Sequence, residues 1–344
     1  MPNPPRVERV FQALQKKQPD RIPTLEWEID EQLINQVAPG GDMYDFVDWA
    51  DLDGITIFAD SQKKYLDETT YIDEWGVTMR RMVEYYPVPI DYPIRNPEDL
   101  KDLKIPDPCS DWHFETLVEA VNRCKGKRAI IFRAQDGFSI PRNLRGFENI
   151  LADFILNPGL WHDLVEISIE YNTQLAQKAI SLGADVIFSS DDYADNRGPM
   201  MSPRHFREFV LPGLAALANA VHQSGSYLIK HTDGKIWPIL DDILSTGVDC
   251  IDPLDPLGGM SVREVKAKYG TRVCIKGNVN IAGALSYGTV EEVQAEAAEC
   301  IQAGKPGGAY IFSTSNSLMS CVNPRNYRAM LDTLASMGAY EPAG

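Results

Sequence analysis

Short runs of apolar residues alternate along this chain with longer stretches whose apolar positions recur every three to four residues. The first helical stretch covers 7–17, with Val7, Val10, Phe11 and Leu14 on one face, and Pro19-Asp20-Arg21 ends it. Eight strand-like runs follow, at 22–27, 54–58, 129–132, 185–188, 227–229, 249–251, 273–275 and 309–312. Glycines close several of the intervening helices, in Leu182-Gly183, Thr246-Gly247 and Ala303-Gly304. Strands that alternate with helices mark parallel βα units. Eight units predict an α/β fold, a (β/α)8 TIM barrel with 1–344 as one domain; a doubly wound sheet is the alternative. The stretch between the second and third strands is long. Its segment 70–81 predicts an inserted hairpin or lid, and the proline-rich run 87–108 an ordered surface crossing.

A barrel binds its ligands at the C-terminal ends of its strands, so the polar residue after each run matters most. These are Glu26 and Glu28; Asp60; Arg133, Gln135 and Asp136; Asp191, Asp192 and Tyr193; His231 and Asp233; Asp252; Lys276 and Asn278; and Ser313, Ser315 and Asn316. His231 and Asp233 stand two apart on an extended segment, so their side chains point the same way and can share a ligand, a metal or a proton. A site so rich in carboxylate needs a cation or shared protons to offset repulsion. This predicts a divalent metal held by some of Glu28, Asp191, Asp192, His231 and Asp233. The plain structural alternative makes Asp233 a turn or N-cap residue and pairs Asp191 and Asp192 with Arg197 or Arg204. Trp75, Tyr85 and Tyr86 are candidates to line a pocket for a flat substrate, with plain packing on the lid as the more common alternative. Cys321 reads as a packed thiol with a ligand or nucleophile role as the alternative.

Composition narrows the class. The 344 residues are 44% hydrophobic and 24% charged, as in a globular protein with a sizeable core. A formal net charge of −16 argues against nucleic acid or an anionic membrane as partner. Six cysteines without CxxC pairs, no apolar signal core and no stretch of transmembrane length predict a cytoplasmic, disulfide-free protein.

Several motifs together resemble the uroporphyrinogen decarboxylase superfamily in its methyltransferase-like branch. They are the opening Arg6 to Val10 with Gln18 to Pro23, Asp73-Glu-Trp-Gly-Val77, the stretch Ile94 to Leu100, and Ser202 to Pro212. Lys230-His-Thr-Asp-Gly234, Lys276-Gly-Asn278 and the run Asn323 to Met330 follow in family order. The resemblance implies a (β/α)8 barrel. It places Asp60 at the family's pyrrole-binding aspartate. The arginine-rich segment of true decarboxylases is replaced by Glu26-Trp-Glu-Ile-Asp30, and the late Gly-His-Gly by Ser315-Asn316-Ser317. In relatives that methylate coenzyme M, zinc is bound by His-x-Cys and a later Cys; here those positions hold His231, Asp233 and Asn316.

The resemblance therefore implies methyl transfer from a methoxylated donor, such as an aryl methyl ether, or from a methylamine-like one, to a corrinoid carried by a partner protein. A divalent metal, zinc or a comparable ion, would assist. His231, Asp233 and Asp60 are expected to be catalytic, and Glu28, Asp191, Asp192 and His231 to hold metal. Glu26, Trp75, Arg133, Asp136, Tyr193, Asn278 and Asn316 are expected to bind substrate. Relatives of this fold are often dimers, so a homodimer is admitted. Two alternatives stay open: a metal-independent lyase or decarboxylase using Asp60 and His231, and a non-catalytic tetrapyrrole- or corrinoid-binding protein.

Overall fold

The computed structural model describes residues 5–82 and 87–341. In chain order its strands are β1 Gly54–Ile57, β2 Lys63–Tyr65, β3 Thr70–Asp73, β4 Thr78–Arg81, β5 Pro87–Asp91 and β6 Ala129–Ala134. They continue with β7 Val186–Ser189, β8 Ala194–Asp195, β9 Gly198–Pro199, β10 Tyr227–His231, β11 Cys250–Asp252, β12 Cys274–Val279 and β13 Tyr310–Thr314. Seven of them form one parallel sheet in the order β1-β6-β7-β10-β11-β12-β13, with helices in the connections. Each of the seven falls within or beside a run that the hydrophobic pattern picks out.

The eighth expected strand, 22–27, is not one. The segment makes a single parallel bridge from Thr24 to Phe312 of β13 and gives its Thr24 carbonyl to the amide of Asp53, next to β1. Pro23 has no N–H to donate, and the Thr24 N–H goes to the Asp53 carboxylate, so no ladder can propagate. The segment still touches both edges of the curled sheet, which joins them without a continuous strand.

Alternation along the strands builds two cores. Ala129, Ile131, Val186, Phe188, Ile229, Cys250, Cys274 and Ile311 point inward, and Val7, Val10, Ala13 and Leu14 of the helix Arg6–Leu14 pack against them. Their neighbours Ile130, Phe132, Ile187, Leu228, Ile251, Ile275 and Phe312 face the surrounding helices. Gly183 closes the helix Pro158–Leu182 at φ 118°, as its position predicts. Gly304 has a different cause: it is the last residue of its helix, and a Cβ there would stand 2.4 Å from the Tyr310 ring.

Between β1 and β6 the chain builds a four-stranded antiparallel sheet, β2-β3-β4-β5. The expected hairpin 70–81 forms its middle, β3 and β4, and the turn is held by Asp73 Oδ1, which accepts the Trp75 and Val77 amides. The run 87–108, expected as a surface crossing, begins as the edge strand β5. Among the described residues no helix is long and apolar enough to cross a membrane, and the six cysteines are free thiols, with Cys109 and Cys321 exposed.

Candidate active site

A cavity of about 750 Å³ opens at the C-terminal ends of the parallel strands. His231, the last residue of β10, is 4% exposed and lies at its wall. Parallel pairing sets His231 opposite Asp252 of β11, and Asp252 Oδ2 lies 2.7 Å from His231 Nδ1. The other oxygen of Asp252 accepts from Lys276 Nζ at 2.5 Å. The Trp27 ring stacks on the imidazole with centroids 5.2 Å apart at 15°. His231 is thus held on one edge by a carboxylate and on its face by an indole, which leaves Nε2 toward the cavity.

On that side stand Asp192 Oδ1 at 3.6 Å and Asp233 Oδ1 at 3.7 Å from Nε2. One ligand atom from each of the three residues fits within 4.8 Å of the others. Asp192 Oδ1 also accepts the Asp233 amide at 3.0 Å, and Asn316 Nδ2 donates to Asp233 Oδ2 at 2.8 Å. Asp233 Oδ1 is buried and has no hydrogen-bond partner among the described residues. An orphaned, buried carboxylate oxygen costs free energy unless something binds it.

The electrostatics follow from burial and from the crowd of carboxylates. Burial pushes the Asp233 carboxyl up to about 7, with Asp192 and Asp255 adding repulsion and His231 opposing. Burial alone would lower the His231 pKa, but the carboxylates of Asp233, Asp252 and Asp192 outweigh it and raise it. Asp252 goes the other way: burial is overcome by the Lys276 ammonium and by His231, and its carboxyl is held below the usual range. A hard nitrogen-and-oxygen donor set of this kind suits a divalent cation. The Asp252 carboxylate on Nδ1 is the support that metal-bound imidazoles generally have.

The other expected residues divide. Glu28, Arg133 and Asn316 line the cavity, and Arg133 donates through Nε to Ser190 Oγ at 2.7 Å. Glu28 lies outside the group of three. Asp191 is not brought to the group of Asp192, His231 and Asp233. Its Oδ2 accepts the amides of Asp136, Phe138 and Ser139, which anchors the start of the helix Ser139–Arg145. Nor do Asp191 and Asp192 pair with Arg197 or Arg204, whose partners are Asp195 and Glu208.

Asp60 is not among the cavity-lining residues either; it accepts from the Thr116 amide and hydroxyl at 2.9 and 2.7 Å. Asp136 and Tyr193 are buried beneath the site: Lys230 Nζ and Tyr193 OH both donate to Asp136 Oδ2, at 2.8 and 2.6 Å. Glu26 is buried behind β13, accepting from Thr314 Oγ1 at 2.7 Å and Tyr327 OH at 3.1 Å. Asn278 donates to the Leu254 carbonyl at 2.6 Å. Trp75 packs edge-on against Tyr171, 4.7 Å away, outside the cavity; Met79, Pro87 and Pro89 represent the inserted sheet there instead. Tyr85 and Tyr86 lie outside the described residues.

Sequence reasoning named Asp252 as a strand-exit residue but gave it no role, and passed over Trp27. The available signal for Asp252 was its place at the exit of the strand after His231, because neighbouring parallel strands bring equivalent exits together.

The uroporphyrinogen decarboxylase (URO-D) family model matches residues 57–337. A uroporphyrinogen decarboxylase of Azoarcus sp. is 23% identical over 267 residues, 70% of this chain and 68% of its own length. The methylcobamide:CoM methyltransferase MtaA of Methanosarcina barkeri is 28% identical over 145 residues, which span 42% of this chain and only 41% of that protein. Among solved structures, a methyltransferase from Methanosarcina mazei superposes with a TM-score of 0.78 at 19% identity, covering 97% of this chain and 99% of that one.

Proposed function

This chain belongs to the uroporphyrinogen decarboxylase (URO-D) family, and we propose that within it the protein works as a single-domain methyltransferase. The reaction proposed takes a methyl group from a small methoxylated donor, with an aryl methyl ether as the fitting example, to a corrinoid on a partner protein. Methyltransferase relatives and the superposed methyltransferase fold support methyl transfer as the reaction class. The observation that carries the reading is the convergence of His231, Asp192 and Asp233 at the cavity wall, with Asp233 Oδ1 left without a hydrogen-bond partner among the described residues.

His231 Nε2 and the carboxylates of Asp192 and Asp233 would hold a divalent cation, zinc being the ion proposed. Such a cation supplies a Lewis acid to the oxygen that loses its methyl group. The partner's corrinoid supplies the nucleophile, so no nucleophilic side chain is required here.

The chain's own residues do the positioning. Asp252 keeps the proton on Nδ1 and so turns the Nε2 lone pair to the cavity. Asn316 and the Asp233 amide fix the two carboxylates relative to the imidazole. Trp27 and Phe58, with ring centroids 5.1 Å apart, give the cavity an aromatic wall. The inserted sheet, through Met79, Pro87 and Pro89, acts as a lid that keeps water from the donor.

The decarboxylase reading has its own support, since the curated decarboxylase covers more of the chain than the methyltransferases do. It needs Asp60 and His231 in one site, and Asp60 is instead tied to Thr116. The deciding experiment combines metal analysis with an assay of cob(I)alamin methylation by methoxylated aromatics. One divalent ion per chain and methylcobalamin formation, both lost in His231→Ala, are expected. Turnover of a carboxylated substrate without metal or corrinoid would replace this reading with the lyase.

A further inference from the structure

We infer that the β6 side of the cavity is an anion subsite, so that the molecule taken here carries a carboxylate. The inference deepens the proposed function by naming the substrate class. Charge is segregated around the cavity mouth. Asp192, Asp233 and Asp255 line it from the β7 to β11 ends, and Glu28 from the segment that joins the sheet edges. Both lining arginines, Arg133 and Arg142, come from β6 and from the helix Ser139–Arg145 that follows it.

Arg142 is half-buried and makes no ion pair with a carboxylate among the described residues; its Nε meets only the Asn143 side-chain oxygen, at 3.4 Å. Arg328 is also half-buried with no carboxylate among the described residues, but its Nη2 donates to the Trp49 carbonyl at 2.5 Å, whereas Arg142 has only the Asn143 contact and the Phe138 ring 5.9 Å from its guanidinium. Arg133 sits on an aromatic floor, its guanidinium 5.3 Å from the Phe58 ring and 5.8 Å from the Trp27 ring. The same Trp27 ring stacks on His231. Both the Arg133 guanidinium and the imidazole lie against Trp27, so they stand within 11 Å of each other, a reach that suits a flat molecule with a carboxylate at one end and its methoxy group at the other. Guanidinium groups match carboxylates in shape as well as charge.

Isothermal titration calorimetry on the full chain tests this without turnover, comparing 4-methoxybenzoate with its neutral isostere 4-methoxybenzamide. The expected result is at least about tenfold tighter binding of the carboxylate, the worth of one charge-assisted contact. Arg142→Gln should remove most of that preference while leaving the amide's affinity unchanged, and Arg142→Lys should restore part of it. Thermal melts establish that each variant is folded; should Arg142→Gln fail to fold, a weaker preference in Arg142→Lys is the required result. Equal binding of acid and amide overturns the subsite. So does an unchanged preference in the Arg142 variants, or no binding of 4-methoxybenzoate, 3-methoxybenzoate or methoxyacetate at millimolar concentration. Carboxylate preference without any cob(I)alamin methylation would leave the subsite standing and remove methyl transfer. Methylation from donors bound with no such preference would do the reverse.

Discussion

Asp252 Oδ2 lies 2.7 Å from His231 Nδ1, and its second oxygen is bonded to Lys276 Nζ, with all three side chains no more than 5% exposed. One carboxylate thus serves two cationic or proton-bearing groups in a water-poor wall. Replacing it by an amide should affect stability and ligand binding separately. Asp252→Asn removes the carboxylate bonded to the buried Lys276 ammonium, a loss on the order of 3 kcal/mol measurable by denaturant unfolding. In the folded fraction, metal affinity should fall roughly 10- to 100-fold by equilibrium dialysis, since the imidazole loses its orienting partner. Unchanged affinity would make Asp252 a purely structural residue.

Glu28 lines the cavity but stands outside the group of three. Glu28→Gln should keep the metal content of the wild-type chain in elemental analysis. A variant purified without metal would make Glu28 a fourth ligand.

Burial raises the Glu26 carboxyl to about 7, against the opposing pull of Lys276 and the Thr314 and Tyr327 hydrogen bonds. The folded state therefore holds this proton where the unfolded chain, with its ordinary value of 4.5, has released it. Stability from this group is present below pH 4.5 and is lost as pH rises toward 7, by on the order of 3 kcal/mol in full. Glu26→Gln cannot ionise. The stability difference between variant and wild type should grow in the variant's favour over that window and level off above it. A difference independent of pH would show that Glu26 keeps its ordinary pKa.

Gly304→Ala would put a methyl group 2.4–2.5 Å from atoms of the buried Tyr310 ring. Tyr310 OH donates to the Gly277 carbonyl, at 2.5 Å, so the ring cannot retreat freely. A loss of roughly 1–3 kcal/mol is expected from overpacking, read as a lower unfolding midpoint. A neutral result would mean that the end of the helix moves to make room.

Much of this molecule was legible before folding. The alternation of short apolar runs with helical stretches located seven strands of the parallel sheet, and the polar residue after each run put His231, Asp192, Asp233 and Asn316 among the candidates. Local sequence determines these things because strand and helix periods are properties of a single segment. The miss at 22–27 was local too, since Pro23 already argued against a full ladder.

Which strand exits meet is a different matter. Asp191 and Asp192 are consecutive and chemically alike, yet one anchors a helix start while the other faces the imidazole. Neighbours in an extended stretch point to opposite sides, and only the finished sheet decides which side is the cavity. Asp60 reads as well as Asp233 in sequence, but Thr116 lies beside it in space and takes both its oxygens. Asp252 became the partner of His231 through parallel register alone. Residue types and their spacing thus set the stock of groups at the sheet's end, while strand order, register and the direction of each side chain selected the few that stand together.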